Sequence, residues 1–275
     1  MGWHMAAHLS AAGHQLVVAD AVAELQEQWL AAHAGSGATD LESAVEGADI
    51  VVSSLPADAQ LLAVADQIIG ALDSSTVWID HSTTSAAAAR EVAARVADHG
   101  AQFLDAPVSG GVDGARNGSL TVMVGGEEQA FETARPFVEH YAKRYELMGP
   151  AGAGQVTKMT NQICVVGLCQ ALAEGLNFAE TAGLDVHKVV HVMLQGSSAS
   201  WQMANRAERM LNGEYDYGFS TTLMRKDIGL VMEEAASMNI ALPVTSLVGQ
   251  FLAEVTAMGG ASWDWCSLME RQRRR

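Results

Sequence analysis

The chain has 275 residues, of which 49% are hydrophobic, and its 32 Asp and Glu against 16 Lys and Arg give a formal net charge of -16. An acidic chain whose cations cluster only at its C-terminus is not expected to bind nucleic acid or an anionic membrane surface. Three cysteines without a C-x-x-C pair indicate neither a disulfide framework nor a structural metal site, so we expect buried cysteines and no metal. No signal peptide is evident and the apolar stretch 163–173 is too short to span a bilayer, which predicts a soluble, cytoplasmic protein.

Short apolar runs alternate with helical patterns along the first half of the chain. Residues 2–12 read as a helix that ends at Gly13, and a short buried strand over residues 15–19 is followed by Asp20. Further strands are expected at 49–55, at 77–79, from Phe103, and at 120–125, with helices between them over 21–34, 58–72 and 84–98. This alternation predicts a parallel sheet with helices on both faces, whose ligands bind at the carboxyl ends of the strands.

The pattern changes after about residue 150, where the strand signals end. Helices are predicted near 155–182, 186–194, 200–211, 221–238 and 244–258. Because the glycine-rich segment Gly149–Gly154 separates the two patterns, we predict an α/β domain over residues 1–149 and an all-helical domain over residues 150–275, joined by a long helix. The closing basic residues are expected to form a frayed, solvated tail: Arg271, Arg273, Arg274 and Arg275.

A glycine and an acid near the start of the chain resemble the second half of a dinucleotide-binding βαβ unit. Gly2 opens the first helix and Asp20 closes the next strand, the places taken by the third glycine of G-x-G-x-x-G and by the ribose-binding acid. The first strand and the first two glycines of such a unit would lie before Met1, and an ordinary helix–strand pair is the alternative.

Short polar residues at two later strand ends favour the dinucleotide interpretation. Leu55-Pro56 follows one strand and Asp80-His81-Ser82-Thr83 follows the next, where such residues can bind ribose, phosphate or nicotinamide. Helix capping is the alternative for Ser82 and Thr83.

A loop of serine and glycines and a lysine further along the chain suggest a site that binds a carboxylate and transfers a proton. Ser109-Gly110-Gly111 exposes backbone N–H groups that suit a carboxylate, although a tight turn would also use these glycines. Lys158 lies one turn into the long helix, with Asn161 and Gln162 three and four positions later. Burial would lower the pKa of this lysine towards neutrality and suit it to exchange a proton with a substrate hydroxyl; the alternative is a lysine that extends to solvent.

Together these motifs resemble the β-hydroxyacid dehydrogenase family, which contains 3-hydroxyisobutyrate dehydrogenase and tartronate semialdehyde reductase. They occur in the family's order and span nearly the whole chain: Met1-Gly2 with Asp20, Leu55-Pro56, Asp80–Thr83, Asp105–Gly111, Gly152–Gln162 and Arg225–Asp227. The resemblance implies a Rossmann-type dinucleotide-binding domain that lacks its first strand, and a helical domain for substrate binding and dimerisation.

The resemblance also implies site residues. Lys158 matches the catalytic general acid and base, and Ser109, Gly110 and Gly111 match the loop for the substrate carboxylate. Either Asn161 or Gln162 would contact the substrate, since much of the family has Asn where this chain has Gln162. The residues that match cofactor contacts are Met1, Gly2, Asp20, Leu55, Pro56, Gln60, Thr83, Phe219 and Lys226.

The implied reaction is hydride transfer between a nicotinamide cofactor and a small carboxylate-bearing substrate, a 3-hydroxy acid or its semialdehyde or keto form, in a homodimer or homotetramer. NAD is favoured over NADP because Asp20 would repel a 2′-phosphate and no arginine follows it. Imine reduction on the same scaffold is one alternative, and Lys158 argues against it. A catalytically silent nucleotide-binding relative is another, and the missing first glycines argue for it.

Overall fold

The structure, a computed structural model, describes residues 1–274. The chain forms two compact units, Met1–Lys158 and Met159–Arg275. This division falls within the long helix, later than the glycine segment at which the sequence predicts the domain boundary. The first unit contains all the strands of the described residues, and the second is built from helices.

The first unit alternates strands and helices. Its strands are β1 Val17–Val18, β2 Ser36–Gly37, β3 Ile50–Ser53, β4 Val77–Asp80, β5 Gln102–Asp105, β6 Val108–Ser109, β7 Leu120–Gly125 and β8 Ala142–Gly149. Its helices are α1 Gly2–Ala11, α2 Ala23–Ala32, α3 Leu41–Val45, α4 Asp58–Ile68, α5 Ala86–Asp98, α6 Gly111–Arg116 and α7 Glu128–Val138. The predicted helices α1, α2, α4 and α5 and strands β3, β4, β5 and β7 are therefore confirmed.

The larger sheet has six strands in the order β3-β4-β5-β7-β6, with β8 paired to β7. Strands β3, β4 and β5 are parallel as predicted, whereas β7 runs antiparallel to both β5 and β6, so the sheet is mixed. A parallel return needs a long crossover connection, and the short β6 and α6 between β5 and β7 do not provide one.

Helices cover both faces of this sheet, as the apolar strand runs predict. Val77 and Ile79 of β4 pack with residues of α1 and α7, whereas Trp78 between them packs with residues of α4 and α5. Because alternate side chains of a strand point to opposite faces, β4 is buried on both sides. Packing on both faces of the sheet thereby holds the carboxyl ends of β3 and β4 in place.

Strand β1 differs from its prediction as a buried strand. It has two residues, pairs only with β2 in a separate two-stranded sheet, and leaves Val17 49% exposed. Within the described residues neither β1 nor β2 pairs with the larger sheet, so β1 lacks the flanking strands that would bury it. The first unit is a Rossmann-type fold with a mixed sheet and helices on both faces.

The second unit is helical, and the predicted helices are confirmed. After α8 Ala153–Thr181, which begins in the first unit, come α9 Val186–Met193, α10 Trp201–Asn212, α11 Thr221–Ser237, α12 Pro243–Ala257 and α13 Leu268–Arg273. One apolar core joins them, with Leu176, Met210, Met224 and Leu252 among its fully buried side chains.

The length of α8 corrects one expectation from the sequence. Among residues 1–274, α8 is the one helix long and apolar enough to cross a membrane by length and composition alone. Buried residues make up 44% of its most apolar 18-residue window, and long core helices of globular proteins have the same composition.

The cysteine prediction also needs correction, because Cys164 on α8 is exposed whereas Cys169 and Cys266 are buried.

Two of the basic C-terminal residues, Arg271 and Arg273, do not belong to a frayed tail, whereas Arg274 is exposed and pairs with Glu270. Arg271 is buried, forms an ion pair with Glu254 at 2.8 Å, and its guanidinium lies 3.5 Å from the centroid of the Phe251 ring. Arg273 pairs with Glu180 at 2.9 Å. Carboxylates of α12 and α8 thus hold α13 against these two helices. The prediction for Arg275 lies outside the described residues.

Candidate active site

A hydrogen-bonded network joins the carboxyl ends of β3 and β4. Buried Asp80 accepts hydrogen bonds through Oδ1 from the hydroxyls of Ser53 and Ser82, each at 2.6 Å. The Ser82 hydroxyl in turn accepts from the backbone N–H of Leu55 at 2.7 Å, and Trp78 Nε1 donates to Ser53 Oγ at 2.8 Å. Two segments that the sequence singles out separately, Leu55-Pro56 and Asp80–Thr83, are therefore brought together.

Helix capping does not account for Ser82 and Thr83. The N-cap of α5 is Ser85, whose hydroxyl accepts a hydrogen bond from the N–H of Ala88 at 3.0 Å. Ser82 is buried within the network, and Thr83 is half-buried beside it. Gly2 lies at the same end of the sheet, since a Cβ placed on it would be 3.7 Å from Ser54 Cβ.

The other predicted cofactor contacts of the first unit are more exposed. Asp20 lies after β1, where its Oδ1 accepts from the N–H of Val22 at 2.9 Å, and it is exposed. Met1 is the N-cap of α1 and is 40% exposed. Pro56 and Gln60 are both exposed, with Gln60 on α4.

The loop Ser109–Gly111 is a tight turn from β6 into α6. Gly110 has φ 126° and Gly111 has φ 62°, backbone conformations that residues with a Cβ adopt only with strain. A Cβ on Gly110 would also lie 3.2 Å from Leu120 Cδ2. Backbone geometry alone thus requires both glycines, while Ser109 stays half-buried at the end of β6.

Asp105, the first residue of the same motif, holds the start of α8. Its Oδ1 accepts from the N–H of Gly152 at 2.7 Å and its Oδ2 accepts from the N–H of Gln155 at 2.9 Å. Burial raises the pKa of Asp105 to about 6, against the opposing effect of these two backbone donors. A carboxylate at a helix N-terminus satisfies N–H groups that lack helical partners.

Lys158 lies one turn further along α8 and is only 8% exposed. This burial excludes the alternative in which the side chain extends to solvent. Gln155, whose N–H binds Asp105, is fully buried. Its Nε2 donates to the carbonyl of Ser82 at 2.9 Å, and its Oε1 accepts from the N–H of Thr84 at 3.1 Å.

In the second unit, the amide pair of α8 is tied to α11. Gln162 Nε2 donates to Asp227 Oδ2 at 2.7 Å, and Asn161 Nδ2 donates to Gln162 Oε1 at 2.9 Å. Asp227 is buried and forms an ion pair with Lys226 at 3.2 Å. Both polar atoms of the Gln162 amide are therefore engaged within the protein.

Phe219, the remaining predicted cofactor contact, is half-buried before α11, and its N–H donates to buried Asp264 at 3.0 Å. Reasoning from the sequence missed three residues that hold predicted site residues in place: Asp105 and Gln155 in the first unit, and Asp227 in the second. All three lie within motifs that the sequence singles out, and two are acids beside apolar residues, a signal that a structural carboxylate is present.

Comparisons with protein families match both units. A model described as the NAD binding domain of 6-phosphogluconate dehydrogenase matches residues 1–167. A second model, described as the NAD-binding region of NADP-dependent 3-hydroxyisobutyrate dehydrogenase, matches residues 152–271.

Individual relatives agree with these matches over nearly the whole chain. An uncharacterized oxidoreductase of Shewanella frigidimarina is 45% identical, covering 98% of this chain and 94% of that protein. The 2-hydroxy-3-oxopropionate reductase of Escherichia coli is 34% identical, covering 98% and 93%. The solved Mycobacterium tuberculosis 3-hydroxyisobutyrate dehydrogenase with L-serine superposes with a TM-score of 0.91 at 32% identity, covering 99% and 96%.

Proposed function

The chain belongs to the β-hydroxyacid dehydrogenase family, and we propose that it interconverts a small 3-hydroxy acid and its semialdehyde or keto form. It is an NAD(P)-dependent oxidoreductase. The observation that carries the finer proposal is Lys158, a buried lysine at the start of α8 that stands in the motif shared with the family. We predict a dinucleotide-binding role for residues 1–149 and a role in substrate binding and dimerisation for residues 150–275.

Lys158 is the proposed general acid and base. During oxidation it takes the proton of the substrate hydroxyl as the hydride leaves the same carbon, and during reduction it returns that proton. Proton transfer by a positioned side chain accelerates such reactions by about 10²–10⁴-fold. The burial of Lys158 supports this role because a water-poor setting strengthens its interaction with a developing alkoxide.

The proposed carboxylate site is Ser109–Gly111, whose hydroxyl and successive backbone N–H groups can donate to an anion. Asn161 is the better candidate for the second substrate contact. The amide of Gln162 is already engaged by Asp227 and Asn161, which supports a role for Gln162 in joining α8 to α11.

The ends of β3 and β4 fit a dinucleotide. Short polar residues meet there with the start of α1 at Gly2, which lies next to Ser54. We propose that the cofactor contacts are Met1, Gly2, Asp20, Leu55, Pro56, Gln60, Thr83, Phe219 and Lys226. The bound nicotinamide supplies the hydride acceptor or donor. Exposed Asp20 supports NAD over NADP, because its carboxylate would repel a 2′-phosphate.

We also propose a cytoplasmic homodimer or homotetramer assembled through the helical unit. Cys164, Leu168 and Phe178 are spaced along one side of α8 and all three are exposed, Phe178 at 76%. An exposed apolar stripe on a helix is typical of a surface that another subunit covers.

The test compares Lys158→Ala with the matched control Lys188→Ala. Lys188 is an exposed lysine of α9 whose ammonium lies 3.1 Å from the Asp185 carboxylate. The assay measures turnover of a panel of 3-hydroxy acids with NAD and NADP, and dinucleotide affinity by tryptophan fluorescence. We expect Lys158→Ala to lower kcat by about 10²–10⁴-fold with little change in dinucleotide Kd. The control should resemble the parent enzyme.

Two results would contradict the proposal. Near-normal turnover by Lys158→Ala would remove the assigned catalytic residue. Dinucleotide binding by the parent chain without turnover of any acid in the panel would instead identify a catalytically silent relative.

A further inference from the structure

Gln155 connects the first turn of α8 to the loop that follows β4. Its side chain makes two hydrogen bonds to the backbone of that loop, one to the carbonyl of Ser82 and one from the N–H of Thr84. These partners lie more than seventy residues earlier in the chain and flank Thr83, a predicted cofactor contact. Gln155 is fully buried, so water does not compete for these bonds.

The backbone of Gln155 is held from the opposite side by Asp105. The Asp105 carboxylate binds the N–H groups of Gly152 and Gln155 at 2.7 and 2.9 Å. This approach depends on Gly125, since a Cβ there would meet Asp105 Oδ1 and lie 2.8 Å from the backbone nitrogens of Ala153 and Gly154. The first turn of α8 is thus fixed by side chain and backbone together.

We propose that Gln155 is a positioning residue for the reaction, fixing Lys158 against the cofactor-binding loop 82–84. The proposal rests on the function assigned to Lys158 above. Lys158 comes three positions after Gln155, slightly less than one helical turn, so displacement of the first turn moves the lysine with it. Asp105 holds the turn in place, and Gln155 sets its distance from the loop.

The chemistry explains why an amide is required. A glutamine offers one donor and one acceptor at the same end, and the loop presents one carbonyl and one N–H to match them. Methionine has a similar length but would leave both buried backbone groups without these partners. The loop and the helix would then be free to shift relative to each other, and a misplacement of about 1 Å can reduce a rate by about 10²-fold.

The first experiment compares Gln155→Met with Gln170→Met in the full-length enzyme. Gln170 is a matched control because it is also a buried glutamine of α8, and its Nε2 bonds only to Glu174 four residues later. We expect Gln155→Met to lower kcat by about 10–100-fold and to weaken dinucleotide binding. The kcat of Gln170→Met should stay within about two-fold of the parent value. We expect the two variants to differ in kcat even if they have similar Tm values.

A second variant, Gln155→Glu, separates positioning from a general loss of structure. A protonated glutamic acid can donate to the Ser82 carbonyl as the amide does, whereas an ionised one cannot. The charged groups around it are Asp105 on β5, Asp80 bonded to Ser82, and Arg90 on α5, whose Nη1 would be 2.9 Å from a Cβ on Gly152. Burial raises the pKa of such a carboxyl. The kcat of Gln155→Glu relative to the parent should therefore recover as the pH is lowered.

The outcomes distinguish the positioning role from the proposed function. Equal kcat values for Gln155→Met and Gln170→Met, while Lys158→Ala is inactive, would overturn the positioning role alone. A ratio of Gln155→Glu to parent kcat that stays constant with pH would also overturn it. Full activity of Lys158→Ala would remove the function on which the proposal rests.

Discussion

Gly154, the second residue of α8, is predicted to tolerate no side chain. A Cβ at this position would lie 2.5 Å from the carbonyl oxygens of both Asp105 and Met123, and 2.9 Å from Asp105 Oδ2. Two of the three atoms belong to the backbone of β5 and β7, so no side-chain rotation relieves the overlap. Gly154→Ala must push the first turn of α8 away from the sheet.

The expected loss of stability follows from two opposing effects. Alanine is favoured over glycine in a helix interior by about 1 kcal/mol, and by less at a helix start. Overpacking of a close-packed interior costs about 1–3 kcal/mol. Against rigid backbone atoms we expect the upper part of that range, and a net destabilisation of about 2 kcal/mol. For a chain of this size, that corresponds to a fall in Tm of roughly 4–8 °C.

The assay is urea unfolding of Gly154→Ala beside Gly229→Ala. Gly229 lies on the exposed side of α11, and a Cβ there would meet nothing within 4 Å. The same substitution should therefore stabilise at this position by about 0.8–1 kcal/mol. Equal stability for Gly154→Ala and the parent would refute the close approach of α8 to β5 and β7.

Two further predictions concern a buried histidine and the exposed side of α8. Burial lowers the pKa of His81 to about 4, although its Nδ1–H donates to the Ala106 carbonyl, so only the unfolded chain takes up this proton between pH 6.5 and about 4. The stability that neutral His81 contributes is complete above pH 6.5 and is lost as the pH falls, so the advantage of the parent over His81→Gln should shrink by about 1.4 kcal/mol per pH unit. Asp105, whose pKa is raised, has the opposite dependence and is common to both proteins; unfolding curves with the same separation at every pH would contradict the assignment. Phe178→Glu should reduce the molar mass measured by light scattering, whereas Leu25→Glu, at an exposed apolar residue of the first unit, should not; an unchanged assembly for Phe178→Glu would exclude this side of α8 as the interface.

The sequence predicts those elements whose apolar residues follow one clear period. Strand β4 is a continuous apolar run because it is buried on both faces, and the long helices of the second unit show helical spacing. Strand β8 has no such signal, since it carries Lys143, Arg144 and Glu146 and is exposed along much of its length. Helix α7 was missed for a similar reason: charged residues cover its outer side and Pro136 lies within it.

The candidate site divides in the same way. Lys158 and the loop Ser109–Gly111 could be proposed as site residues from the sequence because each belongs to a compact motif. The contact of Gln155 with residues 82 and 84 could not, because it depends on how two loops meet after the sheet has formed. The choice between Asn161 and Gln162 as the proposed substrate contact also could not be made from the sequence, because Gln162 is bound by Asp227 of another helix.

Two buried carboxylates define this end of the sheet. Asp80 and Asp105 are directly paired in register on neighbouring parallel strands, and both are fully buried. Burying a carboxylate is unfavourable for folding, and burial raises the pKa of Asp105, with a smaller contribution from the neighbouring charge of Asp80. Each carboxylate nevertheless binds groups outside its own strand: Asp80 binds the serine that holds Leu55, and Asp105 binds the start of α8. We infer that the pair fixes the loops around the proposed cofactor site, so replacing either acid by an apolar residue should impair turnover more than folding.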